Sequence, residues 1–132
     1  FYADRYYGFD DAVYVAVRLL GILGRAASSL AEMADRLPRV FNTPELRLPC
    51  EEARKFAIVE EVRERLRRRG ADVIDIDGVR VRSGDGWWLL RASNTQAVVV
   101  ARVESTSAEG LARLTAEVAA ELAGSGLSLP PS

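Results

Sequence analysis

Between Val73 and Glu104 short apolar runs alternate with turn signals, a layout that an antiparallel meander satisfies. Val73 to Asp77 reads as a strand, Asp77-Gly78 as a tight turn, and Val79 to Arg82 as the next strand. Ser83-Gly84-Asp85-Gly86 turns the chain into Trp87 to Ala92, and Ala97 to Glu104 completes the series. The last two strands are rich in aromatic and β-branched residues, which suit a pleated, half-buried surface. Alternation sends one of Trp87 and Trp88 inward and the other outward.

The stretch Arg91-Ala92-Ser93-Asn94-Thr95-Gln96 stands between those two strands. Ser, Asn and Thr bond their own backbone and favour turns, and Asn tolerates positive φ. Arg91 adds a planar fork of N–H groups that matches phosphate or carboxylate. Two hydroxyls, an amide and free backbone N–H groups beside one guanidinium describe an oxyanion cradle. The same residues also suit a plain hairpin turn with its arginine reaching to water.

Residues 1–8 are aromatic-rich and read as the middle of a longer segment. Asp10-Asp11 open a helix whose apolar stripe is Phe9, Val13, Ala16, Val17, Leu20 and Leu23, with Gly24 as its stop. Ser29 to Glu32 fits a capping box for a short helix that Pro38 ends. Residues 43–49 alternate as a strand with prolines at its ends, as at a sheet edge. Glu51 and Glu52 start a helix to about Arg69, with Ala53, Phe56, Val59, Val62 and Leu66 as its core face and Gly70 as its stop. Thr106 to Glu109 reads as another capping box, and Leu111, Leu114, Val118 and Leu122 stripe the last helix. The expected fold class is α+β: a four-stranded antiparallel sheet with two helices packed on one face, preceded by a helical hairpin.

Composition removes several chemistries. The 132 residues contain no histidine, which excludes Ser-His-Asp and Cys-His nucleophile systems and any His-containing metal site. Lys55 is the only lysine and so the one Schiff-base candidate, without a catalytic partner in view. A formal charge of −1 argues against a nucleic-acid module. No apolar run approaches the ~20 residues that span a bilayer, and no membrane association is expected. The single Cys50 suits a reducing cytoplasm, the expected location. Asp75, Asp77 and Asp85 miss the EF-hand frame, because Val73 and Gly84 fall on ligand positions, and read as turn residues. Arg63, Arg65, Arg67, Arg68 and Arg69 read as a solvated helix end rather than an RNA contact.

The ordered series Asp75-Ile76-Asp77-Gly78-Val79-Arg80-Val81, Gly84-Asp85-Gly86-Trp87 and Arg91-Ala92-Ser93-Asn94-Thr95-Gln96 closely resembles the C-terminal domain of the α-D-phosphohexomutases. Leu37-Pro38 with Thr43-Pro44-Glu45 fits the same pattern, and Tyr7-Gly8-Phe9-Asp10-Asp11-Ala12 resembles the last helix of that family's third domain. Sister phosphoglucosamine mutases carry Gly at the Asn94 position and Glu at Gln96, so the likeness is to the phosphomannomutase/phosphoglucomutase branch. Ala97 departs from the proline usual there, which loosens the loop exit but removes no phosphate donor.

The resemblance implies a TATA-box-binding-protein-like domain that closes a cleft and grips the substrate phosphate that is not reacting. It implies Arg91, Ser93, Asn94 and Thr95 as that clamp. It also implies hexose phosphates and their bisphosphate intermediate as ligands, and the remaining domains of the same enzyme as partners. The family's phosphoserine loop, its Mg²⁺ loop and its sugar-reading loop have no counterpart in this sequence. No catalytic residue and no metal ligand is therefore expected within it, and the chain alone is expected to be inactive. The expected division is 1–36 as the tail of the third domain, 37–42 as a hinge, 43–124 as the phosphate-binding domain and 125–132 as a flexible tail. The alternative is a free-standing module that binds a phospho-ligand or a protein without catalysis.

Overall fold

The computed structural model describes Tyr7, Gly8 and residues 10–130. The chain forms two compact units, dividing between Pro38 and Arg39. That division falls inside the expected connector 37–42.

The first unit holds α1 (Ala12–Leu23) and α2 (Leu30–Asp35). Asp11 caps α1 by accepting from the Tyr14 N–H at 2.8 Å. Ser29 and Glu32 form the expected capping box on α2. Of the expected stripe on α1, Phe9 lies outside the described residues, and Val13, Val17 and Leu20 are well exposed.

The second unit contains β1 (Phe41–Asn42), β2 (Leu46–Pro49), α3 (Lys55–Arg68), β3 (Val73–Ile74), β4 (Val79–Ser83), β5 (Gly86–Ala92), β6 (Val98–Ser105) and α4 (Ala108–Ala123). All strand pairs are antiparallel, in the order β1-β6-β5-β4-β3, with β2 also on β6. The sheet has six strands rather than the expected four: the five segments read as strands all pair in it, and the two-residue β1 is the addition. The expected strand from Val73 to Asp77 ends at Ile74, and Asp75 and Asp77 turn out to arginines.

α3 and α4 pack together on one face of the sheet. The core joins Val59, Val62 and Leu66 of α3 and Leu114, Val118 and Leu122 of α4 to Val79, Val81, Trp88, Leu90, Val99, Ala101 and Val103 of the strands. Burying such side chains contributes about 1.5–3 kcal/mol each. Trp88 is the inward indole and Trp87 the outward one. Trp87 donates its Nε1–H to Glu104 at 3.0 Å, and the Arg80 guanidinium lies 4.4 Å from its ring centre.

Two local readings need correction. α3 starts at Lys55, and its buried face is Lys55, Ile58, Val59, Val62 and Leu66. Ala53 lies ahead of the helix, and Phe56 is 60 % exposed. α4 is capped by Ser107, which accepts from the Gly110 N–H at 3.0 Å, rather than by Thr106. After α4 the chain keeps contact with the core as far as Leu129. Leu127 and Leu129 rest on the core, and the Gly126 and Leu127 N–H groups bond the carbonyls of Ala123 and Leu122 with Gly126 at φ +78°, a Schellman closure. Residues 131–132 of the expected flexible tail lie outside the described residues.

Arg65 and Arg69 of the arginine run tie α3 to α4, while Arg67, Arg68 and Arg69 stay exposed at the helix end. The buried Glu121 of α4 accepts from Arg65 at 2.9 Å and pairs with Arg69 at 3.0 Å, while Arg67 holds Asp75 at 2.6 Å. Removing both arginines would leave the buried Glu121 charge without compensation, a larger cost than the loss of a surface pair. A second link ties the β4–β5 turn to α4. Arg113 grips Asp85 with two bonds of 2.8 and 2.5 Å, and holds its carboxyl below the usual aspartate range.

Candidate functional site

The polar bend is shorter than its sequence suggests. Arg91 and Ala92 continue β5, so residues 93–97 alone connect it to β6. Ser93 is half-buried and Asn94, Thr95, Gln96 and Ala97 are exposed. The Ser93 N–H donates to the Val98 carbonyl at 3.0 Å, and the Val98 N–H donates to the Gln96 carbonyl at 2.9 Å. The Thr95 N–H lies 3.4 Å from the Ser93 hydroxyl, an ST-turn. No described residue other than glycine has positive φ, so Asn94 does not use its tolerance for that region.

Arg91 is held on the bend by what faces it. The register sets Leu90 and Ala92 toward the helices and Arg91 onto the open face. Val79 pairs with Leu90, so Gly78 stands beside Arg91. A Cβ on Gly78 would lie 2.3 Å from the Leu90 carbonyl oxygen and 2.7 Å from the Arg91 Cβ, and its φ is +81°. Asp77, in the same turn, lies 3.6 Å from the Arg91 guanidinium. The Arg91 side chain is 38 % exposed and that of Asp77 72 %, so this is a loose surface pair. Beside the bend, a cleft of about 240 Å³ is lined by Phe56, Glu60, Arg63, Asp77, Gly78 and Asn94.

The open face carries further arginines in register. Arg47 and Arg91 flank the buried Val100, and Arg80 and Arg102 flank Leu89. Strand spacing puts the Cα atoms of Arg80 and Arg102 about 10 Å apart. Arg47 pairs with Glu45 at 2.7 Å and Arg82 with Asp72 at 3.0 Å. Arg102 is exposed and has no hydrogen-bond or ion-pair partner among the described residues. Arg80 and Arg102 lie an odd number of residues from Arg91, so alternation counted from Arg91 does not find them; the strand register puts them on its face, across from Leu89.

Arg91, Ser93, Asn94 and Thr95 lie at one end of the sheet, at the β5–β6 connection. The structure adds two groups that sequence reading had set aside. Asp77 faces Arg91, and Lys55, 41 residues from the bend, donates to the Gln96 carbonyl at 3.3 Å. Among the described residues no three His, Cys, Asp or Glu side chains group as a metal site.

An antiparallel sheet backed by two helices on one face, with a polar bend and an open-face arginine at its end, defines the class: an α+β domain. Residues 45–121 match the family model described as "Phosphoglucomutase/phosphomannomutase, C-terminal domain". The chain belongs to this family. It is 37 % identical over 122 residues to a phosphomannomutase/phosphoglucomutase of Pseudomonas syringae pv. tomato, covering 92 % of this chain and 26 % of that protein. A phosphoglucomutase of Neisseria gonorrhoeae is 38 % identical over 116 residues, covering 86 % of this chain and 25 % of the relative. The crystal structure of a phosphoglucomutase/phosphomannomutase family protein from Burkholderia thailandensis aligns with a TM-score of 0.79 at 42 % identity, covering 97 % of this chain and 27 % of that one. The chain thus spans about a quarter of the relatives it matches.

Proposed function

We propose that the second unit is the phosphate-holding, cleft-closing domain of a phosphohexomutase that interconverts hexose 1-phosphates and 6-phosphates through a bisphosphate. Arg91, Ser93, Asn94 and Thr95 hold the phosphate that is not reacting. The observation that carries this reading is the Arg91 guanidinium on the open face, loosely met by Asp77 and adjoining an exposed bend. Arg102, one row inward on the same face, adds a second guanidinium to the field that draws the dianion in.

Phosphoryl transfer depends largely on positioning and electrostatic stabilisation. A clamp made of general donors grips a phosphate at either end of a hexose, as an exchange of 1- and 6-positions requires. Its two kinds of donor divide the work: the guanidinium supplies charge and a flat bidentate contact, and the bend supplies short, directional hydroxyl and amide donors. The reacting phosphoryl group and the Mg²⁺ that supports its transfer belong to other parts of the intact enzyme, which we place in the cytoplasm. This chain alone is inactive and binds hexose phosphate weakly, because one wall of a cleft covers little of its ligand.

Replacing Arg91 with Ala in the intact enzyme is expected to raise KM for the hexose phosphate by about one to two decades, from a charge-assisted bond of ~1.5–3 kcal/mol. Steady-state kinetics with unchanged KM and kcat would remove the assignment.

The closing motion is assigned to residues 37–40, inside the connector 37–42. β1 fastens Phe41 and Asn42 to β6, and Pro38 has no N–H with which to extend α2. In the intact enzyme, residual dipolar couplings from residues 10–36 and 41–130 should require two alignment tensors. One shared tensor, with and without substrate, counts against a pivot there.

A further inference from the structure

No arginine among the described residues is buried, whereas the only lysine, Lys55, is 2 % exposed. Its ammonium pairs with Glu52 at 2.5 Å and lies 5.2 Å from the ring centre of Phe56. Its inward acceptor is the Gln96 carbonyl at 3.3 Å, at the downstream end of the bend. An ammonium withdrawn from water persists only where fixed acceptors replace its hydration. Glu52 is exposed and could pair with a lysine that stayed in solvent, so it does not account for the burial.

Among the described residues, four bonds fix the downstream end of the bend. The Gln96 carbonyl accepts from both Lys55 and the Val98 N–H, the Gln96 side chain accepts from Arg47, and the Ala97 carbonyl accepts from the Cys50 N–H at 3.1 Å. Three of these four bonds come from the stretch that runs from Arg47 in β2 to Lys55 at the start of α3. Upstream, the bend is fixed through β5. A slim point donor suits a buried place that offers one carbonyl and one carboxylate, whereas a five-donor fork there would leave N–H groups unpaired.

We infer that Lys55 is the positioning residue of the anion-holding bend. Its ammonium pins Gln96, so that the donors of Ser93, Asn94 and Thr95 converge with Arg91, and sets a fixed positive charge behind them. The functional half of this inference rests on the phosphate reading above, and the tether itself does not.

The test uses the 132-residue chain, inorganic phosphate as probe, and NMR. Lys55→Met keeps the stem and removes the charge. It should weaken phosphate binding, read at the Ser93, Asn94 and Thr95 amides, by about tenfold, as expected when a site loses its supporting contact. The Val98 N–H should lose protection from hydrogen exchange while the Leu90 and Val103 amides keep theirs. A folded Lys55→Met protein with wild-type phosphate affinity and Val98 protection overturns the inference. So does a loss of protection spread equally over Leu90 and Val103, which marks a general structural role.

Should the variant not fold, the wild-type chain decides. Labelling lysine with ¹⁵N gives a single side-chain ammonium signal, and this signal should shift in step with the three loop amides as phosphate is added. A stationary ammonium signal beside moving amides overturns the positioning role. No movement at the three amides refutes the phosphate reading instead, and the tether is then judged by the wild-type ammonium alone: a slowly exchanging signal coupled across the bond to the Gln96 carbonyl supports it, and a freely exchanging one overturns it.

Discussion

Gly78 and Gly84 stand in successive turns and face opposite demands. At Gly78 the backbone is left-handed at φ +81°, and a Cβ would meet the Leu90 carbonyl oxygen at 2.3 Å. At Gly84 φ is not in that region and a Cβ would enter open space. Gly78→Ala should therefore lower stability by about 3 kcal/mol, combining strain with displacement of β5 backbone. Because the displaced residues are Leu90 and Arg91, phosphate binding should fall with it. Gly84→Ala should lie within about 0.5 kcal/mol of the parent or slightly above it, since it only restricts the unfolded chain. Urea melts of both variants check the pair, and equal losses would mean that close approach at Gly78 is not what fixes Arg91. The Asp-Gly dipeptide made the turn legible in the sequence. That the turn lies on Arg91 was not legible, because it follows from the β4–β5 register.

At the scale of elements, the α4 connection supplies a pH signature. Arg113 reaches Asp85 across the β4–β5 turn and keeps its carboxyl below the usual range, mainly through the side-chain hydrogen bond. A carboxyl depressed in the folded state contributes stability that is present above its unfolded value, near pH ~4. That contribution is lost as pH falls through the lower folded value. The stability gap between the parent and Arg113→Ala should be constant at neutral pH and shrink to nothing in acid, as denaturant melts across pH 2–7 would reveal. A gap that persists undiminished at the acid end would assign the effect to packing of the arginine stem. The same elements divide what sequence reading could and could not see. Strand alternation required one of Trp87 and Trp88 to be buried and the other to face outward, and packing against the helices makes Trp88 the buried one. The helix period is less strict. On α3, neighbouring stripes run through Phe56 and through Lys55 and Ile58, and hydrophobicity alone favours the aromatic. What buries Lys55 is a carbonyl 41 residues away, so the choice is made by tertiary contact. The α4 cap slipped for a similar reason: Ser105 and Ser107 both serve the turn, since the buried Ser105 hydroxyl donates to the Asp85 carbonyl and accepts from the Ser107 N–H.

For the whole molecule, the distribution of buried side chains predicts which part folds alone. Every residue of the core cluster, including the partly buried ones packed on it, falls between Leu46 and Leu129. Neither α1 nor α2 contributes a buried residue, and Val13, Val17 and Leu20 are open to water. Isolated helices of 12 and 6 residues are marginal in water without a partner surface. Residues 39–132 should accordingly fold without the first unit and keep the near-ultraviolet circular dichroism of the enclosed Trp88. They should also bind inorganic phosphate as the 132-residue chain does, because Arg91, the bend and Lys55 all lie within them. Residues 1–38 alone should show little helix. If removing residues 1–38 instead lowers the melting temperature by more than about 8 °C, beyond the shift that ~1 kcal/mol gives a domain of this size, the first unit contributes packing to the second and the independence inferred from the core is wrong. A retained fold with lost phosphate binding would mean that the clamp draws on residues before Arg39, an outcome that the distances around Arg91 and Gln96 give no reason to expect.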